Sequence, residues 1–281
     1  MTYKITKKSA LKILAAGKRF DSRGMFENRN IEVKFGVSNK AEGSVMVKMG
    51  NTQVACGIKM GVSTPYTDHE NEGTMMTSME LLPLASPHCE DGQPSIESVE
   101  SARIIDRGIR ESGFIDFKKL CIKEGEKVWS IFVDIAVIND DGNLIDAGSL
   151  AALLALLTAR KPVYDEKTEK ISFGEFTDDA LPLNKDKMPV TMTFFKVDDH
   201  MLVDPTREEE DVCDGRLTVE ISKPGKEEII NAMQKGGEAT FSVEEVENIV
   251  NEGTKIFKKL NSLIETEVEK FEKEGKKKSK K

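Results

Sequence analysis

The sequence predicts an α+β protein made of two related βα layers, and three observations carry that expectation. Residues 134–160, DIAVINDDGNLIDAGSLAALLALLTAR, read as a strand buried on both faces, a tight Asp140-Asp141-Gly142-Asn143 turn and a helix apolar nearly all round. Strand-like runs, then a helix, then strand–helix, then strands and helices again follow one another along the chain. Two further segments, 94–112 and the stretch from Ser242, carry a helical apolar period with start and stop signals.

Taken in order, residues 1–18 form an amphipathic helix with Leu11, Leu14 and Ala15 on one side, and with the connector GKRFDSRGMFENR they make up an N-terminal region to residue 30. A first subdomain is expected over 31–165. It starts with a strand at 31–35 and a hairpin over 43–60. The hairpin alternates through Val45, Val47 and Met49, turns at Gly50-Asn51, and alternates again through Val54, Cys56 and Ile58. A polar loop over 61–72 and a strand over 74–84 follow. The 94–112 helix begins at Pro94-Ser95 and has Gly113 just past its end. A second subdomain is expected over 166–270. Residues 161–189 read as linker with one short strand at 171–176. A hairpin joins 190–197 to 201–203 across Asp198-Asp199-His200, and 217–222 is another strand. Two helices close the chain. The second opens with the capping pair Ser242 and Glu245 and carries a stripe from Val246 to Phe271. Residues 271–281, ending in KEGKKKSKK, read as a disordered basic tail.

Composition narrows the function. The 281 residues are 38% hydrophobic and 32% charged, which fits a folded chain with a large core. The longest apolar run, 150–157, is far short of the ~18 residues that cross a bilayer, and no leader pattern opens the sequence, so a cytoplasmic protein with no membrane partner is expected. Cys56, Cys89, Cys121 and Cys213 are scattered and lack zinc spacing; three of them look like buried thiols. His69, His88 and His200 have no neighbour at ligand spacing, and no metal or cofactor is expected. The net charge of −8 excludes binding nucleic acid by bulk electrostatics and leaves only a local basic patch or a partner's charge.

Few residues carry chemistry. A glycine-bearing turn feeding a helix can cradle phosphate on free N–H groups. Here, however, the helix opens with Leu144 and Ile145, which offer no polar side chain, and with Asp146, which repels an anion. In the 94–112 helix Arg103, Arg107 and Arg110 share one stripe, opposite Ser98, Ser101, Ala102, Ile105, Ile109 and Ser112. Three guanidinium groups suit phosphates, but spacing alone favours a solvated face with the pairs Glu100–Arg103 and Asp106–Arg110. The acidic run 204–211 reads as an exposed loop rather than a catalytic pair. Nucleophile-elbow, zincin, Walker and Rossmann signatures are missing from the sequence.

Set together, Arg19-Phe20-Asp21-Ser22-Arg23 with Arg29, Gly43-Ser44-Val45, Gly50-Asn51-Thr52-Gln53-Val54, the arginine helix, the strand–turn–helix and the Asp204 segment resemble the RNase PH family. Within it they are most similar to the non-catalytic RNase PH-type subunits of archaeal exosomes. The resemblance implies an RNase PH-like fold of the ribosomal protein S5 domain 2-like type. Active members attack the terminal phosphodiester of RNA with inorganic phosphate, using a hydroxyl and an arginine where this chain has Leu144 and Ile145. Losing such a charge-assisted contact costs ~1.5–3 kcal/mol. Their paired carboxylates correspond to Asp204 and a partner near Glu210 or Asp211, displaced by Pro205. Their basic loop corresponds to 61–69, which holds no Lys or Arg. These departures imply no catalytic residue here. Arg103, Arg107 and Arg110 become the expected RNA-binding residues. The implied partners are a catalytic RNase PH-type exosome subunit (three heterodimers closing a hexameric ring), RNA-binding cap subunits and single-stranded RNA. The alternatives are an active phosphorolytic exoribonuclease and a scaffold that touches no RNA.

Overall fold

The computed structural model describes residues 7–90, 92–165, 168 and 170–278. In chain order the elements of the first half are α1 (Lys7–Ala15), β1 (Ile31–Phe35), β2 (Gly43–Met49), β3 (Thr52–Ser63), β4 (Thr74–Leu81), α2 (Ile96–Glu111), β5 (Cys121–Lys123), β6 (Lys127–Asn139) and α3 (Leu144–Thr158). The second half holds β7 (Arg160–Asp165), β8 (Lys170–Ala180), β9 (Val190–Val197), β10 (His200–Val203), α4 (Arg207–Glu210), β11 (Gly215–Ser222), β12 (Ile229–Gly237) and α5 (Val243–Lys278).

One sheet has the order β1-β2-β3-β6-β4, with β5 paired to β6; a second has the order β10-β9-β11-β12. Every pairing is antiparallel except β4 with β6. That parallel pair requires a crossover, and α2 supplies it. At the β2–β3 turn Met49 faces Thr52. Gly50 is held there at φ +60°, with the Arg29 side chain 2.4 Å from where a Cβ would sit. The second hairpin forms, but its turn is tighter than expected: His200 belongs to β10 and pairs with Val197, leaving Asp198 (φ +54°) and Asp199 to turn the chain.

Helix α3 is buried continuously from Ile145 to Leu156. It packs on β2, β3 and β6 from one side, on β9 from the other, and on α2 and α5. This accounts for a helix with no polar face. Its surroundings are one continuous core that draws Ile131 and Val133 from the first sheet and Phe194, Val219 and Ile256 from the second half. Leu14 of α1 joins a smaller cluster with Phe195, Val197 and Leu202. Helix α2 starts at the Ser95 cap, whose Oγ accepts the Ser98 N–H at 3.1 Å, and Gly113 follows its end at φ +67°. The α5 capping box forms as expected: the Glu245 N–H donates to Ser242 Oγ at 3.2 Å, and the Ser242 N–H to Glu245 Oε2 at 2.8 Å.

The structure corrects several expectations. The middle of β6 is not buried on both faces: Ile131, Val133, Ile135 and Val137 are buried, but Asp134 is exposed on a face that no helix covers among the described residues. Residues 161–189 hold two paired strands, β7 and β8, rather than a linker with one. Among the described residues only one helix closes the chain; the segment before it is the edge strand β12, held in the sheet by its pairing with β11. The tail is helical as far as Lys278, since α5 runs on past Phe271, whose ring sits 4.8 Å from that of Phe35; residues 279–281 lie outside the described residues. Only Cys56 is fully buried, and Cys89, Cys121 and Cys213 are half-buried. Among the described residues no helix is long and apolar enough to cross a membrane.

Candidate functional site

The turn from β6 into α3 has the backbone of an anion cradle. Gly142 (φ +85°) and Asn143 (φ +58°) are both left-handed, and the Gly142 N–H donates back to Asp140 Oδ1 at 3.1 Å. An acceptor already sits at this helix terminus. The Asn143 N–H donates to Glu210 Oε2 at 2.9 Å. A Cβ on Gly142 would lie 2.7 Å from the Arg207 nitrogen and 2.8 Å from the Pro205 carbonyl oxygen, so the segment entering α4 presses directly on the turn. Burial pushes the Glu210 carboxyl up, while the Asn143 N–H and Arg207 draw it back. A groove of about 290 Å³ opens beside it, lined by Leu144, Ile145, Glu97, Glu210, Arg207 and Arg216. At the turn itself a carboxylate and two aliphatic side chains stand where a bound phosphate would need donors, and the groove's two arginines are engaged by acids, Arg207 by Asp140 and Asp211 and Arg216 by Glu100.

Asp146 does not face that groove, contrary to its expected role as an anion repeller. It is buried and points toward β9, accepting from the Thr193 N–H at 3.0 Å, Thr193 Oγ1 at 2.7 Å and Asn143 Nδ2 at 3.1 Å. Burial drives its carboxyl up to about 7 against the pull of those bonds, and Asp204 pushes in the same direction as burial.

Asp204 is fully buried at φ +48°. Its carboxylate accepts from the Arg29 N–H (2.6 Å), Arg29 Nη2 (2.7 Å), Arg23 Nη1 (3.2 Å) and Asn143 Nδ2 (2.9 Å). Arg19 donates to the Val203 carbonyl at 2.8 Å and the Asp204 carbonyl at 2.9 Å, and it forms a buried pair with Glu209. The arginines of the RFDSR segment and Arg29 are therefore structural. They bind the connector to the β10–α4 turn and leave Asp204 no free lone pair directed at solvent. Asp211 is exposed and pairs with Arg207 at 3.0 Å. Among the described residues no three His, Cys, Asp or Glu side chains gather as a metal would need.

The arginine stripe lies on the exposed face of α2, as its spacing predicts. Arg103, Arg107 and Arg110 line a groove of about 740 Å³ with Thr77 of β4 and Gln234 of β12. Arg103 makes no hydrogen bond or ion pair among the described residues. Arg107 Nη1 donates to Gln234 Oε1 at 3.2 Å. Arg110 pairs with Asp106 at 3.0 Å, donates to the Met75 carbonyl at 2.9 Å and stands 5.7 Å over the Phe117 ring. Of the two local pairs expected on this helix, Asp106–Arg110 forms. Glu100 instead takes Arg216 of β11 at 2.9 Å, which leaves Arg103 free. Sequence reasoning missed Glu220, which is buried beneath α2; in the alternation Leu217-Thr218-Val219-Glu220-Ile221 it shares the polar face with Thr218, so the sequence reads it as solvent-facing and gives no signal that α2 covers it.

Residues 27–162 match the 3′ exoribonuclease family, domain 1, and residues 187–256 match domain 2 of the same family. The chain is 43% identical over 262 residues to the exosome complex component Rrp42 of Pyrococcus furiosus, covering 92% of each chain. It is 45% identical over 225 residues to the component of that name from Methanosarcina acetivorans, covering 80% of each. Among solved structures, a chain of the Archaeoglobus fulgidus exosome with RNA bound to the active site superposes with a TM-score of 0.82 at 41% identity, over 91% of this chain and 96% of that one. Rice Rrp46 shares the fold at a TM-score of 0.67 and 15% identity, covering 89% of this chain and all of its own. The two matched domains, the paired sheets around α3 and these likenesses agree: this chain belongs to the RNase PH family of 3′ exoribonucleases.

Proposed function

We propose that the chain is a non-catalytic, RNA-contacting subunit of an archaeal-type exosome core. In this reading it pairs with a catalytic RNase PH-type subunit, three such heterodimers close a ring, RNA-binding cap subunits sit on that ring, and single-stranded RNA is degraded from its 3′ end by the partner. The observation that carries the non-catalytic part is the Asn143–Glu210 contact at 2.9 Å. It places a carboxylate on the helix terminus that would hold the attacking phosphate, next to Leu144 and Ile145. Relatives named as exosome components, at more than 40% identity over most of the chain, support the assembly. The edge strands β4 and β12 flank α2 and leave Met76 52%, Ile96 88% and Met233 36% exposed. Apolar groups of this kind beside open strand edges are what a partner subunit covers.

The test is to incubate the purified full chain with single-stranded RNA, phosphate and Mg²⁺. No release of nucleoside diphosphates is expected until the catalytic subunit is added; robust release by the chain alone overturns the reading. Changing Arg103, Arg107 and Arg110 together to Glu is expected to weaken RNA degradation by the assembled complex while its mass stays unchanged. The engagement of Arg107 by Gln234 and of Arg110 by Asp106 favours the competing reading, a scaffold without RNA contact. Unchanged RNA binding in the triple variant would support that scaffold.

A further inference from the structure

Beneath the arginine groove lies a carboxylate that the proposed function does not use. Glu220 of β11 is 2% exposed, and its side chain points up against α2. A Cβ on Gly108 would fall 2.1 Å from its carboxyl carbon, so the carboxyl group lies directly against the helix backbone. Among the described residues its Oε2 accepts no hydrogen bond. Its neighbours in the sheet are Thr191 of β9 and Ala232 of β12, neither of them charged. On α3, Ser149 is occupied with Thr191 and Asp146 adds a second negative group. Further along β11, Arg216 is committed to Glu100. The cation that acts on Glu220 is Arg107, which adjoins Gly108 and lines the groove.

An ionised carboxylate held here without a donor is costly, and a protonated one is not. We propose that Glu220 is a proton-controlled counter-charge to Arg107, so that the groove holds polyanionic RNA more tightly when Glu220 carries its proton. The inference rests on the groove being an RNA contact. Burial drives the Glu220 carboxyl up to about 8, with Asp146 adding to the rise and Arg107 opposing it. The change in charge therefore falls within the range where proteins work. Reciprocity follows: an anion that neutralises Arg107 makes Glu220 bind its proton more firmly, so RNA binding takes up protons.

The experiment uses the full chain and a fluorescent single-stranded RNA oligonucleotide at fixed ionic strength. Affinity is expected to weaken about threefold or more between pH 6 and pH 9, and Glu220→Gln to flatten that dependence. A native affinity that does not change with pH, or a Gln variant with the native dependence, overturns the proposal. A second measurement needs neither RNA nor a stable Gln variant. The ¹³C carboxyl resonance of Glu220 is followed through pH in the native chain and in Arg107→Gln, where its midpoint is expected to move up. An unmoved midpoint also overturns the proposal. If the midpoint moves but native and triple-Glu chains bind RNA equally at every pH, the charge coupling stands and the RNA reading of the groove has failed.

Discussion

Arg29 Nη2 lies 2.7 Å from Asp204 Oδ1, and both side chains are buried. The pair joins residues far apart in sequence and is completed by the Arg29 N–H and the Asn143 amide. Removing one partner leaves the other charged and desolvated. Asp204→Ala is therefore expected to lower unfolding free energy by about 3–5 kcal/mol, and Arg29→Ala by a similar amount. Urea denaturation of each variant against the native chain measures this. A loss below ~1 kcal/mol would show that the network does not hold the connector in place.

Rebuilding the phosphate cradle should need more than one change. The Asn143 N–H is taken by Glu210, and the side chains of Leu144 and Ile145 have no donor. The triple variant Leu144→Ser, Ile145→Arg, Glu210→Gln is expected to bind inorganic phosphate or sulfate with millimolar or better affinity, by calorimetry, whereas Glu210→Gln alone is expected to bind none. Phosphate binding by the native chain at comparable strength would contradict the blocked cradle.

Asp146 gives stability a particular pH dependence. Its carboxyl is raised to about 7 in the fold, chiefly by burial. The folded state thus keeps a proton that the unfolded chain releases near pH 4, the ordinary range for aspartate. Its contribution is complete below that pH and is lost as pH rises through 7. In this window stability falls by up to ~1.4 kcal/mol per pH unit on this residue's account. Denaturation midpoints of Asp146→Asn, compared with the native chain from pH 4 to 8, should lack that share of the decline; parallel curves would refute the assignment.

Gly108 is expected to be intolerant of any side chain. Its missing Cβ would fall within 2.1 Å of the Glu220 carboxylate. Gly108→Ala gains helix propensity worth ~1 kcal/mol yet should still destabilise by about 1–3 kcal/mol through overpacking. Pairing it with Glu220→Ala should recover most of the loss, and a thermal-melt double-mutant cycle reads that recovery directly.

Much of the architecture was legible because it follows from local chemistry. Ser95, Gly113 and the Ser242–Glu245 box mark helix ends by satisfying backbone groups, and the Gly50 turn sets the register of β2 on β3. Burial of α3 on every side followed from a helix that is apolar nearly all round. What stayed hidden depends on partners distant in sequence. β12 reads as helical until its pairing with β11 is known. β7 and β8 form a two-stranded sheet with each other, a pairing that neither segment announces alone. The site divided in the same way. Leu144 and Ile145 announced a missing phosphate grip, but the orientation of Asp146 toward Thr193 and the reach of Glu210 to Asn143 depend on side chains some fifty to seventy positions away. The exposure of the arginine stripe was legible from helical spacing, while the diversion of Glu100 to Arg216 was not.

The placement of α3 has a consequence for how the chain comes into being. The helix ends at Thr158, and β9, which covers its second side, begins only at Val190. During synthesis at about 5–20 residues per second, Leu150, Leu153 and their neighbours wait some seconds for that cover. The nascent first half therefore passes through a sticky interval, open to chaperones or to misassembly, that ends only when the second sheet closes over it.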